Sequence, residues 1–179
     1  MTSLRSSGFG PRCSTIGNLA AVTVNVLVAT DAEWIVESIT AALGDEETYF
    51  TVVSEGRVVA DVVKRRAKES KADYDLAILD LQIGTMGGIA VTMSLRLDES
   101  AGALPHVPVL VLLDRMADVH LARRSGADGW LVKPLDPLRL GRAARAVLAG
   151  KPYHNGSVPD VVDAEPVAEQ LDEPAGAEA

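Results

Sequence analysis

The chain has 179 residues, 47% of them apolar and 4% aromatic, with a formal net charge of −8 at pH 7. That length allows one domain with a real core, and the absence of any run of 18 or more apolar residues removes a membrane span. The single cysteine, Cys13, excludes an internal disulfide framework and fits a reducing, cytoplasmic compartment.

Residues 1–22 are rich in Ser and Gly and carry Arg5 and Arg12 without an acid. No apolar h-region precedes the first strand, so a disordered leader, or a start codon placed too early, is expected in preference to a targeting peptide. Val24 to Ala29 is an apolar run of strand length ending in Thr30-Asp31. Ile35, Ile39 and Leu43 then fall on one helical face, and Val58, Val59, Val62 and Val63 form a stripe on a second helix. That helix ends in Lys64-Arg65-Arg66-Ala67-Lys68, cations that suit the negative end of the macrodipole and read as a solvated face.

The most informative stretch follows. Leu76 to Leu79 is apolar, ends on Asp80, and breaks into a turn containing Gly84, Gly87 and Gly88. A buried parallel strand delivers one reactive acid to a sheet edge in this way. Ile89, Met93 and Leu97 give a third helical stripe, Val107 to Leu113 a strand ending in Asp114, and Val119, Leu121 and Ala122 a short fourth helix. Gly129 to Val132 ends in Lys133-Pro134, and Leu138, Leu140, Ala144, Val147 and Leu148 pattern a fifth helix. Asp136-Pro137 should open that helix, since Asp caps and Pro suits the first helical position; Gly150 and Pro152 close it. From Pro152 onward there are seven acids and no Lys or Arg, so nearly all of the net charge belongs to a tail expected to be disordered and solvating. His106, His120 and His154 show no ligand spacing and read as surface residues.

Near-continuously apolar strands alternating with amphipathic helices predict a parallel sheet covered on both faces. Its functional crevice lies outside the carboxyl ends of the strands, where Asp31, Asp80, Asp114 and Lys133 would meet. The expected organisation is a leader over 1–22, an α/β domain over 23–150 and an acidic tail over 151–179.

In this order the motifs resemble the receiver (CheY-like) domain of bacterial response regulators, over about Val24 to Leu148. Asp80 matches the phospho-accepting aspartate and Lys133-Pro134 the lysine followed by a proline, usually cis. Ser125-Gly126-Ala127-Asp128-Gly129-Trp130 resembles the turn and aromatic position before that lysine. The resemblance implies a five-stranded sheet of order 2-1-3-4-5 and a Mg2+ ion, bound weakly, held by Asp31, Asp80 and the backbone carbonyl of Gln82. It also implies Lys133 as counter-charge to acceptor and phosphoryl group. A histidine kinase or phosphotransfer protein would be the phosphodonor and a downstream protein the output, without enzymatic turnover of a substrate.

Three departures stand out. Thr30 replaces one of two adjacent acids, and can only hold a water at the metal. Leu113 stands where the family has a Ser or Thr hydroxyl that bonds the phosphoryl group, and Asp114 where a small residue is usual. Without that hydroxyl Trp130 reads as a fixed packing or interface residue, part exposed, which leaves a homodimer open. No basic recognition helix is present, so DNA binding is not expected. The primary reading is a stand-alone receiver phosphorylated on Asp80 that signals through protein–protein contact. The second is a pseudo-receiver, the same fold used as a phosphorylation-independent interaction module. An α/β enzyme or flavodoxin-like cofactor binder is weaker, since Thr30-Asp31-Ala32-Glu33 offers acids, not glycines, to a phosphate.

Overall fold

A computed structural model describes residues 23–69 and 73–155. Six parallel strands, β1 (Val24–Ala29), β2 (Thr48–Val53), β3 (Leu76–Asp80), β4 (Val109–Leu113), β5 (Gly129–Val132) and β6 (Tyr153–His154), lie in the order β2-β1-β3-β4-β5-β6. The helices are α1 (Glu33–Leu43), α2 (Val59–Lys68), α3 (Gly88–Ser100), α4 (Val119–Arg124) and α5 (Pro137–Leu148). Single 3-10 turns at Gly56–Val58 and Met116–Asp118 lead into α2 and α4.

The inner strands β3 and β4 are buried at every position, as a sheet sandwiched between helices requires. Alternate side chains feed two cores. Leu27, Leu79, Val111, Leu113 and Trp130 pack with Val59, Val63, Val91, Leu95 and Val119 from α2, α3 and α4. Val26, Ile78, Leu110, Leu112 and Leu131 pack with Ile35, Ile39, Leu140, Ala144 and Val147 from α1 and α5. Asp136 caps α5 by accepting a 2.8 Å bond from the Arg139 amide, with proline at the first helical position, as its sequence predicts.

The structure corrects several expectations. The sheet has six strands, not five, because Tyr153–His154 pairs with Gly129–Trp130; the first residues of the anticipated tail therefore belong to the fold. The chain turns back after α5 at Gly150 (φ 68°), where the Gly150 amide bonds the Val147 carbonyl and the Lys151 amide that of Ala146. Residues 156–179 and 1–22, the rest of the tail and the leader, lie outside the described residues.

On α3 the Ile89–Met93–Leu97 stripe is not the core face: Met93 is 56% and Leu97 70% exposed, while Gly88, Val91, Thr92 and Leu95 are buried. Apolar residues alternate from Ile89 to Leu97, so two faces three to four residues apart compete. Gly88 decides between them. A Cβ there would stand 2.3 Å from the Asp80 carbonyl oxygen, so this face sits hard against β3. Leu121 on α4 and Leu138 on α5 are likewise exposed, although their neighbours Val119, Ala122, Leu140 and Ala144 are buried as expected. The basic end of α2 is less solvated than anticipated. Arg66 bonds Asn25 and lies 4.6 Å from the Tyr74 ring centre, and Lys64 pairs with Asp98.

Candidate functional site

The carboxyl ends of β1, β3, β4 and β5 open into a cleft of about 490 Å³ lined by Asp31, Trp34, Asp80, Gln82, Asp114 and Lys133, among others. Asp80, the last residue of β3, is 2% exposed. Its two oxygens are held separately: Oδ1 accepts a 2.6 Å bond from Lys133 Nζ, and Oδ2 a 3.1 Å bond from the Thr30 hydroxyl. A buried carboxylate needs such partners. Lys133 follows β5 directly, and its peptide bond to Pro134 is cis.

Lys133 Nζ also donates to Asp114 Oδ1 at 2.8 Å, so one ammonium bridges the carboxylates at the ends of β3 and β4. Burial works to lower the Lys133 pKa, but its bonds to Asp114 and Asp80 and their negative charge outweigh it, leaving a net rise. Lys133 is thus a fixed cation. Asp114 Oδ2 is buried without a hydrogen-bond partner.

Asp31 lies exposed in the same cleft. Its Oδ2 faces the turn after β3, 3.8 Å from where a Cβ on Gly84 would stand. Thr85 in that turn adopts a left-handed conformation, φ 69°, a strained choice for a β-branched residue that recurs near functional sites. Asp31, Asp80 and Gln82 present hard oxygen donors, the chemistry Mg2+ accepts. Among the described residues no group of three or more His, Cys, Asp or Glu side chains is arranged to hold a metal. A cation here would rest on two carboxylates, the Gln82 carbonyl and water.

The predicted residues Asp31, Asp80, Asp114 and Lys133 therefore line one cleft. Others sit differently. Thr30 does more than hold a water, since its buried hydroxyl bonds Asp80 directly and accepts from the Ala32 amide at 3.2 Å. Leu113 is fully buried in the α2–α4 core and does not line the cleft. Trp130 is 4% exposed and stacked on His154, ring centres 3.9 Å apart. It cannot be the part-exposed anchor expected of it, because β6 covers that edge. His154, exposed as its reading as a surface residue expects, supplies that cover with its ring. His106 is tied to Glu99 at 2.5 Å.

Sequence reasoning missed Trp34, which is 51% exposed at the cleft mouth with Lys133 Nζ 5.7 Å from its ring centre. Its place beside the buried Ile35 and Ile39, off their stripe, was the available signal. It also missed Arg96, whose guanidinium bonds the Gly126 and Val107 carbonyls, Glu99 and Asp128. That hub fixes α3 to the turn entering β5, and so supports the strand that delivers Lys133.

The family model for the response regulator receiver domain matches residues 26–145. The DNA-binding response regulator MtrA of Mycobacterium tuberculosis is 31% identical over 125 residues, 69% of this chain and 50% of the relative. The chain thus spans about half the length of that relative. An uncharacterised response regulatory protein of the same species is 29% identical over 136 residues, 72% of this chain and 94% of the relative. Among solved structures, the chemotaxis response regulator CheY4 of Vibrio cholerae aligns with TM-score 0.56 at 25% identity, covering 70% of this chain and 98% of that one. The receiver domain of the putative response regulator NarL from M. tuberculosis aligns with TM-score 0.58 at 24% identity, covering 72% and 98%.

Proposed function

The chain belongs to the response regulator receiver family, and from that premise we propose that it accepts a phosphoryl group on Asp80 from a histidine kinase or phosphotransfer protein and signals by contact with another protein. The observation that carries this reading is Asp80 buried at a strand end, 2.6 Å from a fixed ammonium and open to a cleft. In the transfer, an Asp80 oxygen forms the new P–O bond as the donor's P–N bond breaks, and the donor imidazole leaves with a proton. Lys133 balances charge on the acceptor and then on the phosphoryl group. Thr30 holds the second Asp80 oxygen and so orients the carboxylate. Asp31, Asp80 and the Gln82 carbonyl would hold Mg2+, which would supply positive charge to offset the negative charge gathered at the site.

The protein signals instead of turning over a substrate, and works in the cytoplasm; no described helix is long and apolar enough to cross a membrane. The DNA-binding title belongs to a relative of which this chain spans half. Only the receiver role is carried over. The second reading, a phosphorylation-independent module, draws on Asp114, whose carboxylate already occupies Lys133, and on Leu113, which offers no hydroxyl.

Intact-mass measurement after incubation with Mg2+ and acetyl phosphate tests the choice. Wild type should gain one phosphoryl group and Asp80→Asn none. No gain in wild type favours the second reading, and a gain that persists in Asp80→Asn moves the acceptor elsewhere.

A further inference from the structure

The acids, Gln82 and Lys133 in the cleft address the phosphoryl group, and that group is the same whatever molecule carries it. The choice of donor therefore falls to whatever meets the leaving group. Among the described residues lining the cleft, Trp34 is the one aromatic. It is the second residue of α1; Ile35 and Ile39 turn into the core, while the Trp34 side chain is 51% exposed. Burying so large an apolar side chain is normally favourable, so the core does not explain its place. Its backbone is fixed, the carbonyl accepting a 2.7 Å bond from the Ser38 hydroxyl within the helix.

The distances suit a ring on the leaving group. Lys133 Nζ lies 5.7 Å from the centre of the Trp34 ring and 2.6 Å from Asp80 Oδ1, so that ring centre stands within about 8.3 Å of the acceptor oxygen. In a reactive complex phosphorus comes within about 3–3.5 Å of the attacking oxygen, and a donor ring bonded on its far side then lies at the cleft mouth, in stacking reach of the indole. The chain already contains such a stack, Trp130 on His154, with ring centres 3.9 Å apart and planes 11° from parallel. An imidazole with a phosphoryl group on one nitrogen and a proton on the other is a cationic ring, and the face of tryptophan attracts cations best among the aromatic side chains.

We propose that Trp34 selects the phosphodonor, stacking on the imidazole ring of a phosphohistidine and so positioning its phosphoryl group for Asp80. The inference rests on the reading of Asp80 as acceptor. As Asp80 forms its P–O bond the P–N bond breaks, the imidazole nitrogen keeps that electron pair, and the ring, with the proton on its other nitrogen, leaves neutral. The attraction is greatest before transfer and fades with it, so Trp34 acts on donor binding more than on the chemical step.

The test compares phosphoimidazole with phosphoramidate, which shares the P–N bond and lacks the ring, by intact mass over time at fixed Mg2+. Trp34→Ala should lower the ratio of the two rates about tenfold by raising the half-saturating concentration of phosphoimidazole, and Trp34→Phe should restore most of it. In 15N-labelled Asp80→Asn, which lacks the acceptor, phosphoimidazole should shift the Trp34 indole N–H signal and leave that of Trp130, the other tryptophan, in place. Phosphoramidate at equal concentration should move neither. A ratio unchanged in Trp34→Ala, or a Trp34 indole that answers to both donors alike or to neither, overturns the proposal. A wild-type chain that takes a phosphoryl group from neither donor overturns the reading of Asp80 instead, and the indole shift alone then decides whether Trp34 binds the ring.

Discussion

Replacing Asp114 by Asn should raise the phosphorylation of Asp80. Both carboxylates bond the same Nζ, at 2.6 and 2.8 Å, so the two oxygens cannot stand more than about 5.4 Å apart. At that separation and an effective dielectric of about 20, each added unit of negative charge at Asp80 meets roughly 3 kcal/mol of repulsion from Asp114. Phosphorylation adds about one such unit. Asp114 keeps about a quarter of its side-chain surface in solvent, and screening halves the figure to about 1.5 kcal/mol, roughly tenfold in the equilibrium between carboxylate and acyl phosphate. Asn preserves shape and can still accept from Lys133, which is released from one of its two anions and gains strength toward the phosphoryl group. The assay is intact mass at graded acetyl phosphate and fixed Mg2+, with Asp114→Asn reaching half-phosphorylation at about one tenth of the wild-type donor concentration. Equal or weaker phosphorylation of the variant would refute the reasoning and show Asp114 to be a support for Lys133, not its competitor.

Other expectations follow from the same geometry. Leu113→Thr removes buried methyl groups and places a hydroxyl in an apolar cluster, which should cost about 2–4 kcal/mol in urea unfolding; an unchanged midpoint would contradict the burial of that side chain. Ending the chain after Gly150 deletes β6 and uncovers Trp130, so tryptophan emission should shift to the red and stability fall by about 1–3 kcal/mol, whereas ending it after Asn155 should leave both nearly unchanged. Glu99 is held below its ordinary value of 4.5, because burial, which alone would raise it, is outweighed by the His106 hydrogen bond and the Arg96 charge. A depressed carboxylate contributes stability that is present above pH 4.5 and lost as pH falls through its lower folded value, so Glu99→Gln should flatten the acid limb of the stability curve and cost about 1 kcal/mol at neutral pH. An acid limb as steep as in wild type would place the loss on other groups.

How much of this was legible beforehand depended on how local the deciding interaction was. The apolar runs of β1, β3, β4 and β5 ending in Asp31, Asp80, Asp114 and Lys133 were readable, because a strand buried on both faces must be apolar throughout and polar where it leaves the core. That pattern, with the amphipathic helices between, determined the fold class and brought Asp31, Asp80, Asp114 and Lys133 to one cleft; the order of the first five strands was implied by the family resemblance, and β2 (Thr48–Val53) was not read from the sequence. Only the tertiary structure decided which face α3 turns inward, since its apolar residues satisfy two stripes and close packing of Gly88 under Asp80 breaks the tie. Likewise Trp130 has the same sequence neighbours whether it is an exposed anchor or a buried plate; the outcome was set by His154, delivered from two dozen residues away by a two-residue strand too short to show a period. The division of Asp80 between Thr30 and Lys133, and of Lys133 between Asp80 and Asp114, also joins residues remote in the chain. Strand ends are written locally, but hydrogen bonds between them depend on distances that exist only once the sheet has formed.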